Sequence, residues 1–136
     1  EPEFFLVHPG GPFWINKDLG AWSIPKGEFT ENEDPLDAAK REFFEETGVN
    51  IFGSFKQLHP IKQKGGKLVY AWALENDIDV NVLKSNTFEL EWPPKSGKLK
   101  QFPEIDKAGW FPISIAKEKI LSSQLPLLEE LYELLN

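Results

Sequence analysis

The sequence predicts a mixed α/β fold in one domain, and three stretches carry that reading. Phe4-Phe5-Leu6-Val7 is a wholly apolar run closed by the turn-forming Pro9-Gly10-Gly11-Pro12, the pattern of a buried strand followed by a loop. Asp34-Pro35 and Gly48 bracket a helix, with Asp34 as N-cap, Pro35 at the first helical position and Gly48 as the stop. Near the end, Leu127, Leu128, Leu131, Leu134 and Leu135 recur at helical spacing, the stripe of a helix docked on a core.

In chain order, the strand at Phe4–Val7 leads into an aromatic-rich loop holding Phe13 and Trp14, and Trp22-Ser23-Ile24 forms a short strand before Pro25. The helix Pro35–Thr47 follows. Val49–Leu58 and Leu68–Leu74 have strand-like content and are separated by the polar hairpin turn Gln63–Lys67; Thr87–Trp92 reads as a further strand. Pro93–Lys98 has the composition of a surface loop, Ala108–Phe111 that of a strand, and Ile113–Leu121 and Leu125–Leu135 those of helices. No repeat, linker or low-complexity tract divides the chain, so residues 1–136 are expected to form one domain.

Composition narrows the function. At 136 residues with 40% hydrophobic content, one core can form without staples. The absence of cysteine excludes disulfides, thiolate metal sites and cysteine nucleophiles, which makes the cytoplasm the default compartment. The balance of 15 Lys and Arg against 22 Asp and Glu, a formal charge of -7, argues against duplex nucleic acid or an anionic membrane as partner. It leaves open phosphate chemistry in which divalent metal bridges an acidic protein and a polyanion. No run is apolar enough to span a bilayer, and Glu1 does not open a signal peptide. Nothing in the sequence decides the oligomeric state.

The chemistry concentrates between Gly27 and Val49. Glu42, Glu45 and Glu46 stand at i, i+3 and i+4, so a helix carries their three carboxylates on one face within a turn. Their repulsion is relieved by hard divalent cations, which prefer oxygen ligands. Leu36, Ala39 and Phe43 recur on the other side and are expected to anchor the helix. Arg41 can hold Glu45 or reach back to Glu33. Gly27 lets a backbone carbonyl approach a metal, and Gly48 permits the positive φ of a helix stop.

Gly27, Glu33, Arg41-Glu42-Phe43, Glu45-Glu46 and Gly48-Val49, at these spacings, match the Nudix box at every fixed position, and the chain resembles the Nudix hydrolases. The resemblance implies an αβα sandwich with a mixed β-sheet between helices, its usual first strand lying before Glu1. It implies hydrolysis of a nucleoside diphosphate linked to another group with Mg²⁺ or Mn²⁺ as cofactor. Glu42, Glu45 and Glu46 then look like metal ligands, Gly27 like a backbone ligand, and Arg41 and Glu33 like the supporting ion pair. By the same resemblance the general base is a box glutamate, Glu45 or Glu46, or a carboxylate outside the box; Glu104, whose spacing six residues before Trp110 resembles the corresponding loop of dinucleoside tetraphosphate hydrolases, is the first outside candidate, also as a metal ligand, and Glu91 the second.

Trp22-Ser23-Ile24-Pro25-Lys26-Gly27 is similar to the lead-in of diadenosine tetraphosphate hydrolases and RNA 5′-pyrophosphohydrolases. Lys26 suits a phosphate beside the metal site, and Lys95, Lys98 and Lys100 suit distal phosphates. Phe13, Trp14, Trp22, Tyr70 and Trp92 are candidates to stack on a base, whereas Trp72 and Trp110 read as core and His8 and His59 as structural. The first expectation is hydrolysis of diadenosine tetraphosphate or a related dinucleoside polyphosphate. RNA 5′-pyrophosphate, nucleoside triphosphates including oxidised ones, and ADP-ribose stay open, as does a non-catalytic nucleotide-sensing module. A purely structural domain docking through the leucine stripe is the weakest alternative.

Overall fold

The computed structural model describes residues 1–26, 32–62 and 66–135. Strand β1 (Glu3–Pro9) buries Phe4, Leu6 and Val7, and its N-terminal apolar run has extended beyond the predicted four residues because it pairs along its whole length. Its antiparallel partner is the longest strand, β8 (Ile105–Pro112), with Phe4 opposite Phe111, Phe5 opposite Trp110 and Leu6 opposite Gly109. The register slips between His8 and Pro9, which face Lys107 and Ile105, so Asp106 is an extra residue bulging from β8.

Alternation along β1 sorts its side chains to two sides. Phe4 and Leu6 join Trp22, Ala116, Ile120 and Leu128 in one core cluster, which places helices α2 (Ile113–Lys119) and α3 (Leu125–Leu134) on that side. Phe5 instead meets Phe43 of helix α1 (Pro35–Thr47), ring centroids 5.8 Å apart, and packs edge-on against Trp110 at 5.3 Å. Helices therefore flank β1 from both sides. Buried Gln124 ties the C-terminal region to the 22–24 segment: its Oε1 accepts the Ile24 N–H at 3.0 Å and its Nε2 donates to Ser23 Oγ at 3.2 Å.

The middle of the chain is less regular than its composition suggests. Val49–Leu58 contributes only β2 (Lys56–Gln57), paired antiparallel with β5 (Trp72–Ala73); β3 (Ile61–Lys62) pairs with β4 (Leu68–Val69). Leu58 and Ala71 from this region pack with Leu127 of α3 in a second cluster. The predicted turn Gln63–Lys67 lies, for Gln63, Lys64 and Gly65, outside the described residues. A strand the composition hides, β7 (Leu99–Pro103), pairs in register with β6 (Thr87–Glu91) in a hairpin whose tip is the Pro93–Lys98 loop. Among the described residues the strands thus form four antiparallel ladders, with parallel pairing at the isolated Trp22–Ile120 bridge.

The leucine stripe docks α3 through Leu127, Leu128 and Leu131, and Phe43 anchors α1 on Phe5, but both stripes are shallower than expected. In α3 only Leu127 and Leu128 are buried; Leu134 and Leu135 are exposed because the helix runs out past the core. In α1 the deeply buried residues are Ala38, Glu46 and Thr47, while Leu36, Ala39 and Phe43 are half-buried. No described helix is long and apolar enough to cross a membrane.

Candidate active site

Helix α1 is set by its ends. The Asp34 carboxylate accepts the Asp37 N–H at 3.2 Å, Pro35 follows, and Gly48 takes the left-handed conformation at φ 76° while its N–H donates to the Phe44 carbonyl at 2.7 Å. Inside that frame the three glutamates have different surroundings. Glu46 is 7% exposed, and its carboxylate accepts the Lys26 backbone N–H at 3.0 Å. Burial first, and then the negative charges of Glu42 and Glu104, push its pKa up to about 8 against the pull of the Lys26 amide and ammonium.

Glu42 is raised as well, by burial first and by the charges of Glu45 and Glu104, although an Arg41 hydrogen bond opposes the shift. Arg41 is the organiser of this face. Its Nε and Nη2 donate to the two oxygens of Glu33 at 2.8 and 3.0 Å, and its Nη1 donates to Glu42 Oε1 at 2.9 Å and Glu45 Oε1 at 3.1 Å. These bonds hold the guanidinium well above its ordinary pKa, that of Glu33 most of all. The two alternatives open for Arg41 in the sequence are thus both realised.

Glu104 lies in the turn between β7 and β8, and its negative charge is among the lesser causes that raise Glu42 and Glu46. Backbone hydrogen bonds put it there. The Asn86 N–H donates to the Glu45 carbonyl and the Asn86 carbonyl accepts the Glu104 N–H, each at 2.8 Å; the Lys84 N–H donates to the Thr47 carbonyl at 2.8 Å. Ser85 Oγ accepts the Ile105 N–H at 3.0 Å. The 84–86 segment therefore joins the C-terminal turn of α1 to the turn that bears Glu104.

A family model described as NUDIX domain matches residues 3–131. The chain belongs to the Nudix family. It is similar over short stretches to RNA pyrophosphohydrolases: 50% identical over 36 residues to that of Bartonella henselae, covering 26% of this chain and 21% of the relative. It is 46% identical over 37 residues to that of Bartonella bacilliformis (27% and 22%), and 57% over 28 residues to that of Rhizobium meliloti (21% and 17%). The alignments span about a fifth of the length of these curated relatives.

Nudix proteins generally use divalent metal such as Mg²⁺. Among the described residues no three acidic or histidine groups close into a finished metal cage. In the structure Arg41 engages an oxygen of Glu42 and of Glu45, and the Lys26 amide engages Glu46. The donor set nevertheless fits a hard cation, since it is all carboxylate oxygen, and burial first and neighbouring carboxylates second raise the pKa of Glu42 and Glu46. Gly27, the expected backbone ligand, lies outside the described residues.

The other sequence-predicted residues divide. Lys26 is exposed, with its charge near Glu46. Trp22 does not offer a face to a base: it is 5% exposed, its indole N–H donates to Asp18 at 2.7 Å, and its ring meets His8 and Phe111 edge-on. Phe13 is exposed and stands edge-on to Trp92 at 5.3 Å; Trp14 is half-buried beneath the Lys17 ammonium at 4.9 Å, and Tyr70 is at the surface. Trp72 is half-buried, as is Trp110, whose indole donates to the Ile78 carbonyl.

Lys95, Lys98 and Lys100 are exposed near the tip of the β6–β7 hairpin, whose base adjoins Glu104. At about 3.3 Å per residue, the tip is on the order of 15 Å from that base. Glu91 pairs with Leu99 at the same far end, so the structure brings Glu104 and not Glu91 to the box. His59 pairs with Glu130 at the surface, whereas His8 is fully buried between Asp106 and the Lys17 carbonyl. Sequence reasoning passed over Asn86 and Ser85, whose contribution is made by backbone and hydroxyl groups without a distinguishing pattern.

Proposed function

We propose that the chain is a pyrophosphohydrolase that cleaves a nucleoside diphosphate linked to another group by attack of water on phosphorus. What supports this reading is the Nudix family match over residues 3–131, together with the backbone bonds through Asn86 that tie the turn bearing Glu104 to α1. Glu42, Glu45 and Glu46 would hold Mg²⁺ or Mn²⁺, with Gly27 contributing its carbonyl. Bound there, the divalent ions supply charge neutralisation of the diphosphate and lower the pKa of water. Glu104, the general base in this reading, accepts the proton of the attacking water. Arg41, braced on Glu33, orients Glu42 and Glu45, and Gly48 ends the helix where its ligands must stop. Lys26 meets a phosphate next to Glu46.

For the substrate, the names of the RNA pyrophosphohydrolase relatives favour a triphosphorylated RNA 5′ end. The Trp22–Gly27 lead-in supports a dinucleoside polyphosphate such as diadenosine tetraphosphate as the second reading. Either presents a polyphosphate and a base, which suits Phe13, Trp14 and Tyr70 as stacking surfaces and Lys95 and Lys98 as distal phosphate contacts. The formal charge of -7 fits a nucleotide or single strand rather than a duplex or membrane, and a chain free of cysteine fits the cytoplasm.

The test is product analysis with Mg²⁺ or Mn²⁺ on triphosphorylated RNA, diadenosine tetraphosphate, 8-oxo-dGTP and ADP-ribose in parallel. Release of pyrophosphate or successive phosphates with a monophosphorylated RNA end supports the first substrate, and ATP plus AMP supports the second. Binding of all four without turnover would replace the enzyme with a nucleotide sensor.

A further inference from the structure

The turn that carries Glu104 is pinned on two sides, and the second side involves residues outside the Nudix box. From the α1 side, Asn86 and Ser85 hold the amides of Glu104 and Ile105. From the β1 side, the Gly10 N–H donates to the Glu104 carbonyl at 2.9 Å. Gly10 approaches so closely that a Cβ there would fall on the Pro103 carbonyl oxygen, and its φ is not in the left-handed range, so close approach and not backbone strain requires the glycine.

Two residues further on, the bulge at Asp106 aims that carboxylate at β1, where it lies 2.7 Å from His8 Nδ1. His8 is fully buried, and its other nitrogen donates to the Lys17 carbonyl at 2.6 Å. With a carbonyl on one side and a carboxylate on the other, both ring edges are committed, and the imidazole has one orientation. A pair with one buried member and one at the surface contributes little net stability, yet with His8 fully buried it defines a geometry sharply.

We propose that Gly10 and the His8–Asp106 pair are positioning residues that hold the Pro103–Asp106 turn, and with it Glu104, beside the carboxylate-bearing end of α1. This rests on the reading of Glu104 as the base. A displacement of the turn by about 1 Å would lower turnover by about 10²-fold without changing how substrate binds.

A double-mutant cycle on the whole chain tests it, with Mg²⁺ and whichever of the four compounds above is turned over fastest. Gly10→Ala is expected to lower kcat by about 10²-fold with KM little changed, and to speed amide exchange at Glu104 and Ile105. In the Glu104→Gln background the same substitution is expected to cost nothing further, because it acts through the side chain already removed. Asp106→Ala should repeat the pattern, with Asp106→Asn restoring part of the loss; this pair decides the matter if Gly10→Ala does not fold. Additive losses in the two backgrounds, unchanged kcat in Gly10→Ala, or unchanged exchange would overturn the proposal. Wild-type turnover in Glu104→Gln itself would instead remove the base from Glu104, and the positioning role with it.

Discussion

Arg41 grips Glu33 through two parallel hydrogen bonds, Nε to Oε2 at 2.8 Å and Nη2 to Oε1 at 3.0 Å. That fork fixes the plane of the guanidinium, so its remaining nitrogen, Nη1, meets Glu42 and Glu45 in a set orientation. Lysine has no such fork. Arg41→Lys is therefore expected to raise the Mg²⁺ concentration needed for half-maximal turnover by about 10-fold or more, in line with the loss of groups that orient metal ligands. A Mg²⁺ titration of activity checks this, and an unchanged midpoint would show that Arg41 does not orient the carboxylates.

Glu46 makes the metal-free protein sensitive to pH in a definite direction. Its pKa is about 8 in the fold against an ordinary 4.5, burial being the main cause. Between those values the folded protein keeps a proton that the unfolded chain has released. The associated stabilisation is full below 4.5 and is lost as pH rises through about 8. The thermal midpoint in chelator is expected to fall across this window more steeply for the wild type than for Glu46→Gln. Mg²⁺ binding at neutral pH is expected to release a proton, measurable by calorimetry in buffers of different ionisation enthalpy. Equal slopes and no proton release would place the ionised form of Glu46 in the metal-free fold.

Gly48 ends α1 at φ 76°, and a Cβ there would come 3.0 Å from the Lys84 carbonyl oxygen. Gly48→Ala meets both the left-handed penalty and that contact, for an expected loss of about 1–2 kcal/mol in stability. Urea denaturation measures it. A stability equal to wild type would mean that the 84–86 segment yields freely to the helix end.

Phe13 offers an exposed ring, edge-on to Trp92. If it stacks on the base of the substrate, Phe13→Ala raises KM by about 10-fold, the effect of a stacked base, and leaves kcat near its original value. A fall in kcat at constant KM would remove Phe13 from substrate binding.

What could be read from the sequence was mostly what is encoded locally. The ends of α1 and the clustering of Glu42, Glu45 and Glu46 depend on neighbours within a few residues, and they stand where the spacing puts them. The inward turn of Glu46 could not be read, because its partner is the amide of Lys26, brought from another part of the chain. Strand pairing is likewise non-local: Val49–Leu58 yields a two-residue strand, while Leu99–Pro103, disguised by lysine and proline, pairs fully with Thr87–Glu91. Gly10 is legible only as part of a turn, since its close approach to Pro103 becomes visible once β1 and β8 are paired. Trp22 read as an aromatic available to a ligand because nothing in its neighbourhood announces the core that closes over it.

The central claim is that the carboxylate face of α1 carries the hydrolysis, and Glu46→Gln tests it most directly. The substitution keeps the size of a side chain that the fold already holds buried and hydrogen-bonded to the Lys26 amide, so the thermal midpoint should be retained. Turnover of the preferred compound with saturating Mg²⁺ is expected to fall by about 10²-fold or more, as for loss of a group acting in the transition state. Turnover equal to wild type in the folded variant would contradict the account.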